Sequence, residues 1–206
     1  MLFLGDTVSL PALAGIVLGM LAGITTHEFS HAAVADQLGD HQPRALGRVS
    51  LNPLRHLDPL GTALLVLVGI GWGKPVPVNI AALRSGRTGM ALVAGAGPVA
   101  NLVVALGLAL IYRVADQAGA GGAVLQLVYV ATVINLLLAI LNLIPIPPLD
   151  GFGVLIALAP PRWEYTIRRY QGYGVVLLLL LLILPNSPLR GILGLAYPWA
   201  ALLCGL

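Results

Sequence analysis

The feature that most constrains this chain is a long apolar run, Ala12 to Leu38, which carries the sequence HEFSH at residues 27–31. A run of this length can cross a bilayer, which takes about 20 predominantly apolar residues in a helix. Because residues four apart share one face of a helix, His27 and His31 can offer two imidazole nitrogens to one metal ion. The run therefore predicts a membrane-spanning helix with a metal site inside it.

Glu28 stands beside the two histidines and completes the H-E-x-x-H pattern, in which the glutamate acts as a general base. The alternative is a pair of neutral core histidines, hydrogen-bonded to backbone, next to a buried glutamate. Ionisable groups inside an apolar span are costly and usually functional. We therefore interpret the segment as a metal site in which His27 and His31 are ligands and Glu28 is catalytic.

Composition agrees with a membrane protein. The chain is 58% hydrophobic and only 9% charged, whereas a soluble domain carries about 25% charged residues. We expect one integral membrane domain over residues 1–206. The basic residues form no cluster suited to nucleic acid, so we expect no nucleic-acid partner. Cys204 is the only cysteine, which excludes a disulfide framework and a cysteine-rich zinc site.

Further apolar stretches follow the first helix, and the fold class that they predict is an all-α polytopic membrane protein with about five to six membrane segments. An amphipathic stretch from Arg162 to Tyr170 is suited to the membrane interface. The predicted apolar segments are Thr88–Tyr112, Ala123–Ile144, a segment from Leu149 to Leu158, Val175–Leu184 and Leu189–Leu203.

A short element is predicted between the first two core helices. Residues 60–70 are apolar but too few to cross a bilayer as a helix, so a re-entrant element fits better. The flanking segments, Arg44 to Asn52 and Gly73 to Ile80, are typical of extended backbone. We hypothesise that an exposed strand edge in these segments pairs with an extended peptide segment of a partner.

The basic residues indicate the orientation in the membrane. By the positive-inside rule, their loops face the cytoplasm together with the HEFSH end of the first helix. Only Arg113 and Arg190 fall on the opposite side. The basic residues on the cytoplasmic side are Arg44, Arg48, Arg55, Lys74, Arg84, Arg87, Arg162, Arg168 and Arg169.

The third metal ligand has to come from elsewhere, because a catalytic zinc takes three protein ligands and a water. Asp150 is the candidate. The sequence PIPP at residues 145–148 breaks the preceding helix and displaces the backbone at the start of the next one. The alternative is that Asp150 is a helix N-cap, since Asp is favoured there. The residues alone leave both interpretations open.

These motifs resemble those of the site-2 protease family of intramembrane zinc metalloproteases. The resemblance includes HEFSH, GPVAN at residues 97–101 and NLIPIPPLDG at residues 142–151. The stretches LGRVSLNPLRHLDPLGT at residues 46–62 and GWGKPVPVN at residues 71–79 are similar to the short prokaryotic branch, which lacks PDZ and CBS domains.

The resemblance implies an enzyme that binds one zinc ion per chain and hydrolyses peptide bonds in regulated intramembrane proteolysis. It implies that His27, His31 and Asp150 are the zinc ligands and that Glu28 is the catalytic glutamate. The expected partners are single-pass transmembrane proteins or peptides as substrates, and the lipid bilayer. The expected location is a prokaryotic cell membrane, with the active site toward the cytoplasm.

Three polar residues have two interpretations each. Asn142 matches the first residue of the family's asparagine–proline–aspartate motif, and its amide can donate to the tetrahedral oxyanion. The alternative for Asn142 is a hydrogen bond between helices, the role that we favour for Asn101. His56 either approaches the metal or the substrate, or is a solvated loop residue.

Two other functions compete with proteolysis. Helix breaks and polar residues in apolar segments are also typical of a metal or ion transporter. However, neither HEFSH nor LDG recurs in the other half of the chain. The second competitor is a non-catalytic homologue that binds membrane proteins without cutting them.

Overall fold

The computed structural model describes residues 8–59, 61 and 73–206, and these residues fold into α-helices joined by short loops and 3₁₀ turns. Its helical architecture confirms the predicted all-α class. In chain order the helices are α1 (Leu10–Gln37), α2 (Gln42–Ala45), α3 (Gly86–Gln117), α4 (Gly122–Asn142), α5 (Asp150–Leu158), α6 (Pro161–Arg169), α7 (Gly174–Ile183), α8 (Pro188–Gly194) and α9 (Ala196–Cys204).

Three of the described helices, α1, α3 and α4, are long and apolar enough to cross a membrane. A bent pair, Pro161–Ile167 with Gln171–Ile183, would make a fourth span if it is counted as one. The polytopic class is thus confirmed, while the count of five to six segments stays a prediction. The predicted re-entrant element at residues 60–70 lies outside the described residues, apart from Gly61.

The helix α1 begins and ends where the sequence predicts. The Ser9 hydroxyl caps it by accepting a hydrogen bond from the Ala12 amide, and Pro11 lies in the first turn. The helix ends before Gly39, whose φ of +108° lies in the left-handed region that glycine adopts without steric penalty. The metal motif therefore lies in the second half of one unbroken helix.

Glycines allow α1 to pack closely against α4. A Cβ atom at Gly19 would lie 2.8 Å from Cα of Ala131, and one at Gly15 would lie 2.5 Å from the Leu127 carbonyl oxygen. Both helices contact α3 as well, so the three long helices form one bundle. Small residues therefore form the surface of α1 on which α4 packs, as is typical of helix pairs in membranes.

The segments around the predicted re-entrant element differ from expectation. The prediction that Arg44 to Asn52 is extended is wrong at its start, because Gln42–Ala45 forms the single helical turn α2, with Pro43 favouring its first turn. The described residues contain no β-strand, and Leu57 and Gly73 form an isolated antiparallel bridge. The predicted β element is therefore not confirmed.

The last predicted span, Leu189 to Leu203, is two consecutive short helices, α8 and α9, that meet at Leu195. Pro198 supplies the reason, because it has no N–H to donate to the carbonyl of Gly194 four residues earlier. Both segments remain helical, but their hydrogen bonding is interrupted between them.

Candidate metal centre

Three predicted ligands meet inside the bundle. The Nε2 atom of His27 lies 3.0 Å from Oδ2 of Asp150, and Nε2 of His31 lies 3.2 Å from the same oxygen. Both histidines are buried, and Asp150 is partly buried. Among the described residues, this is the one cluster of His, Cys, Asp or Glu side chains suited to hold a metal ion. The structure therefore brings Asp150 to the two histidines, although it lies 119 residues beyond His31 in the sequence.

The interruption of the helix after α4 places Asp150 beside the histidines. The helix ends at Asn142, before the prolines, and α5 begins at Asp150 itself. Gly151 allows the start of α5 to pack closely against the segment that follows α4, because a Cβ atom there would lie 2.6 Å from the Ile144 carbonyl oxygen. Leu149 occupies the N-cap position, so the structure favours the ligand interpretation of Asp150 over the cap.

The histidine rings are oriented by their other nitrogen. The Nδ1 atom of His27 lies 2.6 Å from Oδ1 of Asn101, and Nδ1 of His31 lies 2.7 Å from the Val93 carbonyl oxygen. Both partners are acceptors, so each Nδ1 carries the proton and donates it. Each Nε2 then keeps its lone pair for a metal ion, as metal-binding histidines normally do.

The donor set fits zinc. Two imidazole nitrogens and one carboxylate oxygen are a common catalytic zinc ligand set, with bonds of about 2.0–2.2 Å that place neighbouring tetrahedral ligands about 3.3 Å apart. The Nε2–Oδ2 distances of 3.0 and 3.2 Å are close to that spacing. In addition, the buried Oδ2 of Asp150 has no hydrogen-bond partner, as expected of an oxygen reserved for a metal ion.

Gly97 of α3 lies directly against the two histidines. A Cβ atom added there would lie 2.5 Å from Nε2 of His31 and 2.6 Å from Nε2 of His27. These are the atoms that face Asp150. The absence of a side chain at this position therefore leaves the space in which the metal ligands converge.

The carboxylate of Glu28 is contacted by the backbone of Val76 and by the side chain of Arg48. Its Oε2 atom accepts a hydrogen bond of 3.2 Å from the Val76 amide and lies 4.0 Å from Nη2 of Arg48. Arg48 is buried and donates to the Lys74 carbonyl oxygen. Burial lowers the pKa of the Arg48 guanidinium, while the Glu28 carboxylate acts in the opposite direction. The guanidinium stays charged, so a cation and an amide face the proposed general base.

Two other candidate residues, Asn142 and His56, bond to backbone carbonyl oxygens. Asn142 donates to the Leu138 carbonyl in its own helix at 2.9 Å, so its catalytic role stays a prediction. His56 is fully buried, and its Nε2 bonds to the Ser50 carbonyl at 2.6 Å. The expectation of a solvated His56 is wrong, and it is not part of the metal cluster.

Asn101 has two roles, of which the sequence predicted one. Its amide nitrogen donates to the Gly23 carbonyl and to Oδ1 of Asn135, which ties three helices together as expected. Its contact with His27 was not foreseen. Asn135 was missed altogether, although it is an amide in the middle of the apolar stretch Ala123–Ile144, and buried polar groups of that kind need partners.

Comparison with known proteins gives consistent matches. A model of peptidase family M50 matches residues 110–184. YwhC of Bacillus subtilis is 36% identical over 176 residues, which cover 82% of this chain and 80% of that protein. Rip2 of Mycolicibacterium smegmatis is 34% identical over 181 residues, with 82% and 67% covered. Rip2 of Mycobacterium tuberculosis H37Rv is 32% identical over 197 residues, with 88% and 73% covered. All are provisionally named zinc metalloproteases, and no solved structure matches significantly.

Proposed function

Because the chain belongs to peptidase family M50, the site-2 protease family of zinc metalloproteases, we propose that it hydrolyses peptide bonds within or near the membrane-spanning segments of protein substrates. The observation that carries the proposal is the meeting of His27, His31 and Asp150 inside a bundle of apolar helices. Glu28 follows the first ligand directly in the sequence, as the general base does in the H-E-x-x-H pattern.

The residues around the centre have distinct tasks in this proposal. His27, His31 and Asp150 would hold a zinc ion, which would supply Lewis acidity toward the scissile carbonyl and the attacking water. The Glu28 carboxylate accepts a proton from that water and passes it to the leaving amine. The Val76 amide and the Arg48 guanidinium orient the carboxylate for both transfers.

The place of the site supports a membrane-embedded substrate. His27 lies 17 residues beyond the start of α1 at Leu10, which is about 25 Å along a helix. That depth is within the hydrophobic length of the helix and toward one end of it. We propose single-pass transmembrane proteins or peptides as substrates, because a single helix can approach this site laterally.

The loop between Gly73 and Asn79 is the proposed site of substrate pairing. Its backbone is neither helical nor paired in a sheet, and Val76 within it contacts Glu28. Lys74, Pro75 and Pro77 are exposed. An unwound substrate lying along this loop would have its carbonyls beside the general base.

The proposed orientation places the centre toward the cytoplasm of a prokaryotic cell. The support is that Arg44, Lys74 and Arg84 lie in segments that join the HEFSH end of α1 to the start of α3. Arg113 lies near the opposite end of α3 and contacts the Leu202 and Leu203 carbonyls. This asymmetry follows the positive-inside rule.

The test is cleavage of a single-pass membrane reporter by the purified protein in liposomes. Glu28→Gln should keep its zinc and lose about 10²–10⁴-fold in turnover, because only the proton transfer is removed. Asp116→Asn, at the far end of α3, is the control and should cut normally. If the zinc-loaded wild type cuts no such reporter, the non-catalytic homologue replaces the protease. A change in ion flux caused by Glu28→Gln would indicate the transporter.

A further inference from the structure

Arg87, in the first turn of α3, contacts the C-terminus of the helix that carries Asp150. Its Nη2 atom donates to the carbonyl oxygens of Ile156 and Ala159, and its Nε atom donates to that of Ala157 at 3.3 Å. Its Nη1 atom lies 3.1 Å from Oε2 of Glu164 in α6. One guanidinium thus joins the start of α3 to the end of α5 and to α6.

These contacts fit the needs of a helix end. The last carbonyls of a helix have no partner within the helix, and a cation there also interacts favourably with the helix dipole. The helix α5 has only nine residues, so Asp150 and Leu158 are about 12 Å apart along its axis. A helix this short moves as one body, and the position of its C-terminus determines the position of Asp150.

One face of α3 contacts both the two histidines and the helix α5, which carries Asp150. Arg87, Met90, Ala94, Gly97 and Asn101 recur at intervals of three and four residues, so they lie along one face of the helix. Gly97 contacts the two histidines and Asn101 contacts His27.

The middle of α5 lies against that face. A Cβ atom at Gly153 would lie 3.0 Å from Cβ of Ala94 and 3.9 Å from Cε of Met90. The side chains of Phe152 and Ile156 on the same helix are buried, so apolar packing holds α5 against the bundle. The polar contacts of Arg87 add a directional restraint at the C-terminus of α5.

We propose that Arg87 is a positioning residue of the metal centre. By holding the C-terminus of α5 it sets the register of α5 along α3, and thereby places the Asp150 carboxylate against the nitrogens of His27 and His31. The inference rests on the proposed metal centre but not on the cleavage of any substrate.

Arg113 offers a matched control on the same helix. It is also an arginine of α3, and it donates to the carbonyls of Leu203 at 2.6 Å and Leu202 at 3.0 Å, in α9. That helix carries none of the three metal ligands. Removal of Arg113 therefore takes away a comparable helix cap without touching the position of Asp150.

The experiment measures the zinc affinity of the full chain in detergent by competition with a chelator, together with thermal unfolding. Arg87→Ala should weaken zinc binding by about tenfold, the lower end of the loss seen when a group bonded directly to a metal ligand is removed. Arg87→Lys keeps the charge but not the forked donors, so we expect an intermediate loss. Arg113→Ala should lower the unfolding temperature while zinc affinity stays at the wild-type value.

The outcomes separate positioning from general stability. Wild-type zinc affinity in Arg87→Ala, or an equal loss in Arg113→Ala, would overturn the proposal. If Arg87→Ala does not fold, Arg87→Lys decides: reduced affinity supports the proposal and unchanged affinity overturns it. Because zinc binding is measured without substrate, this result can be interpreted even if the protein cleaves no peptide bond.

Discussion

The Nδ1 atom of His27 lies 2.6 Å from the amide oxygen of Asn101, although the two residues are 74 positions apart in the chain. The amide nitrogen of the same Asn101 bonds to the Gly23 carbonyl and to Asn135, which in turn donates to the Gly19 carbonyl. One metal ligand is therefore oriented by a buried polar network that crosses all three long helices.

Asn101→Ala should weaken zinc binding about 10- to 100-fold, because the His27 ring loses the acceptor that fixes its tautomer and orientation. Chelator competition on the purified protein measures the change. Thr132→Val is the control, since Thr132 is also fully buried and donates to the Val128 carbonyl of its own helix. Equal zinc affinity in Asn101→Ala and wild type would contradict the orienting role.

Gly97→Ala should abolish zinc binding, because the added methyl group would occupy the space beside Nε2 of both histidines. Gly95→Ala is the matched control two residues away, where a Cβ atom meets nothing within 4 Å. It should bind zinc normally and be stabilised by about 1 kcal/mol or less, as for Gly to Ala inside a helix. Bound metal per chain is the measurement, and a Gly97→Ala protein with a full zinc complement would refute the steric argument.

Asp150→Ala should retain the fold and lose most of its zinc, because two neutral histidines without the carboxylate are an incomplete zinc site. Metal analysis of the detergent-purified protein should give about one zinc per wild-type chain, as expected for a single three-ligand site. Asp116→Ala, on the far end of α3, should keep the wild-type content. Unchanged zinc in Asp150→Ala would break the proposed ligand set.

Val76→Pro should slow cleavage while leaving zinc binding intact, because proline has no N–H to donate to Glu28 or to a paired substrate. Val76→Ala keeps that donor and should cut at nearly the wild-type rate. Val78→Pro removes the next donor on the same side of the loop and tests substrate pairing without removing the Glu28 contact. Wild-type cleavage by folded Val76→Pro and Val78→Pro proteins would exclude pairing along this loop.

Particular residues show which features of the structure could be predicted from the sequence. The HEFSH helix and the helix break caused by the prolines at residues 145–148 follow from local rules of spacing and proline geometry, and both are confirmed. Local rules failed to predict the structure where contacts between residues distant in the sequence determine it. His56 was expected in solvent but is buried, and the helical turn at Gln42–Ala45 falls in a segment predicted to be extended from Arg44 on.

The sequence by itself determined that this is a helical membrane protein and that His27, Glu28 and His31 share one helix, because apolar length and the 3.6-residue period are properties of a single segment. Only the tertiary structure decided that Asp150 is the third ligand candidate rather than a helix cap. It also brought Gly97, Asn101 and Arg48 beside the HEFSH residues, and Arg87 to the end of the helix that carries Asp150. These assignments depend on distances between helices, which arise when the bundle packs and which no local pattern encodes.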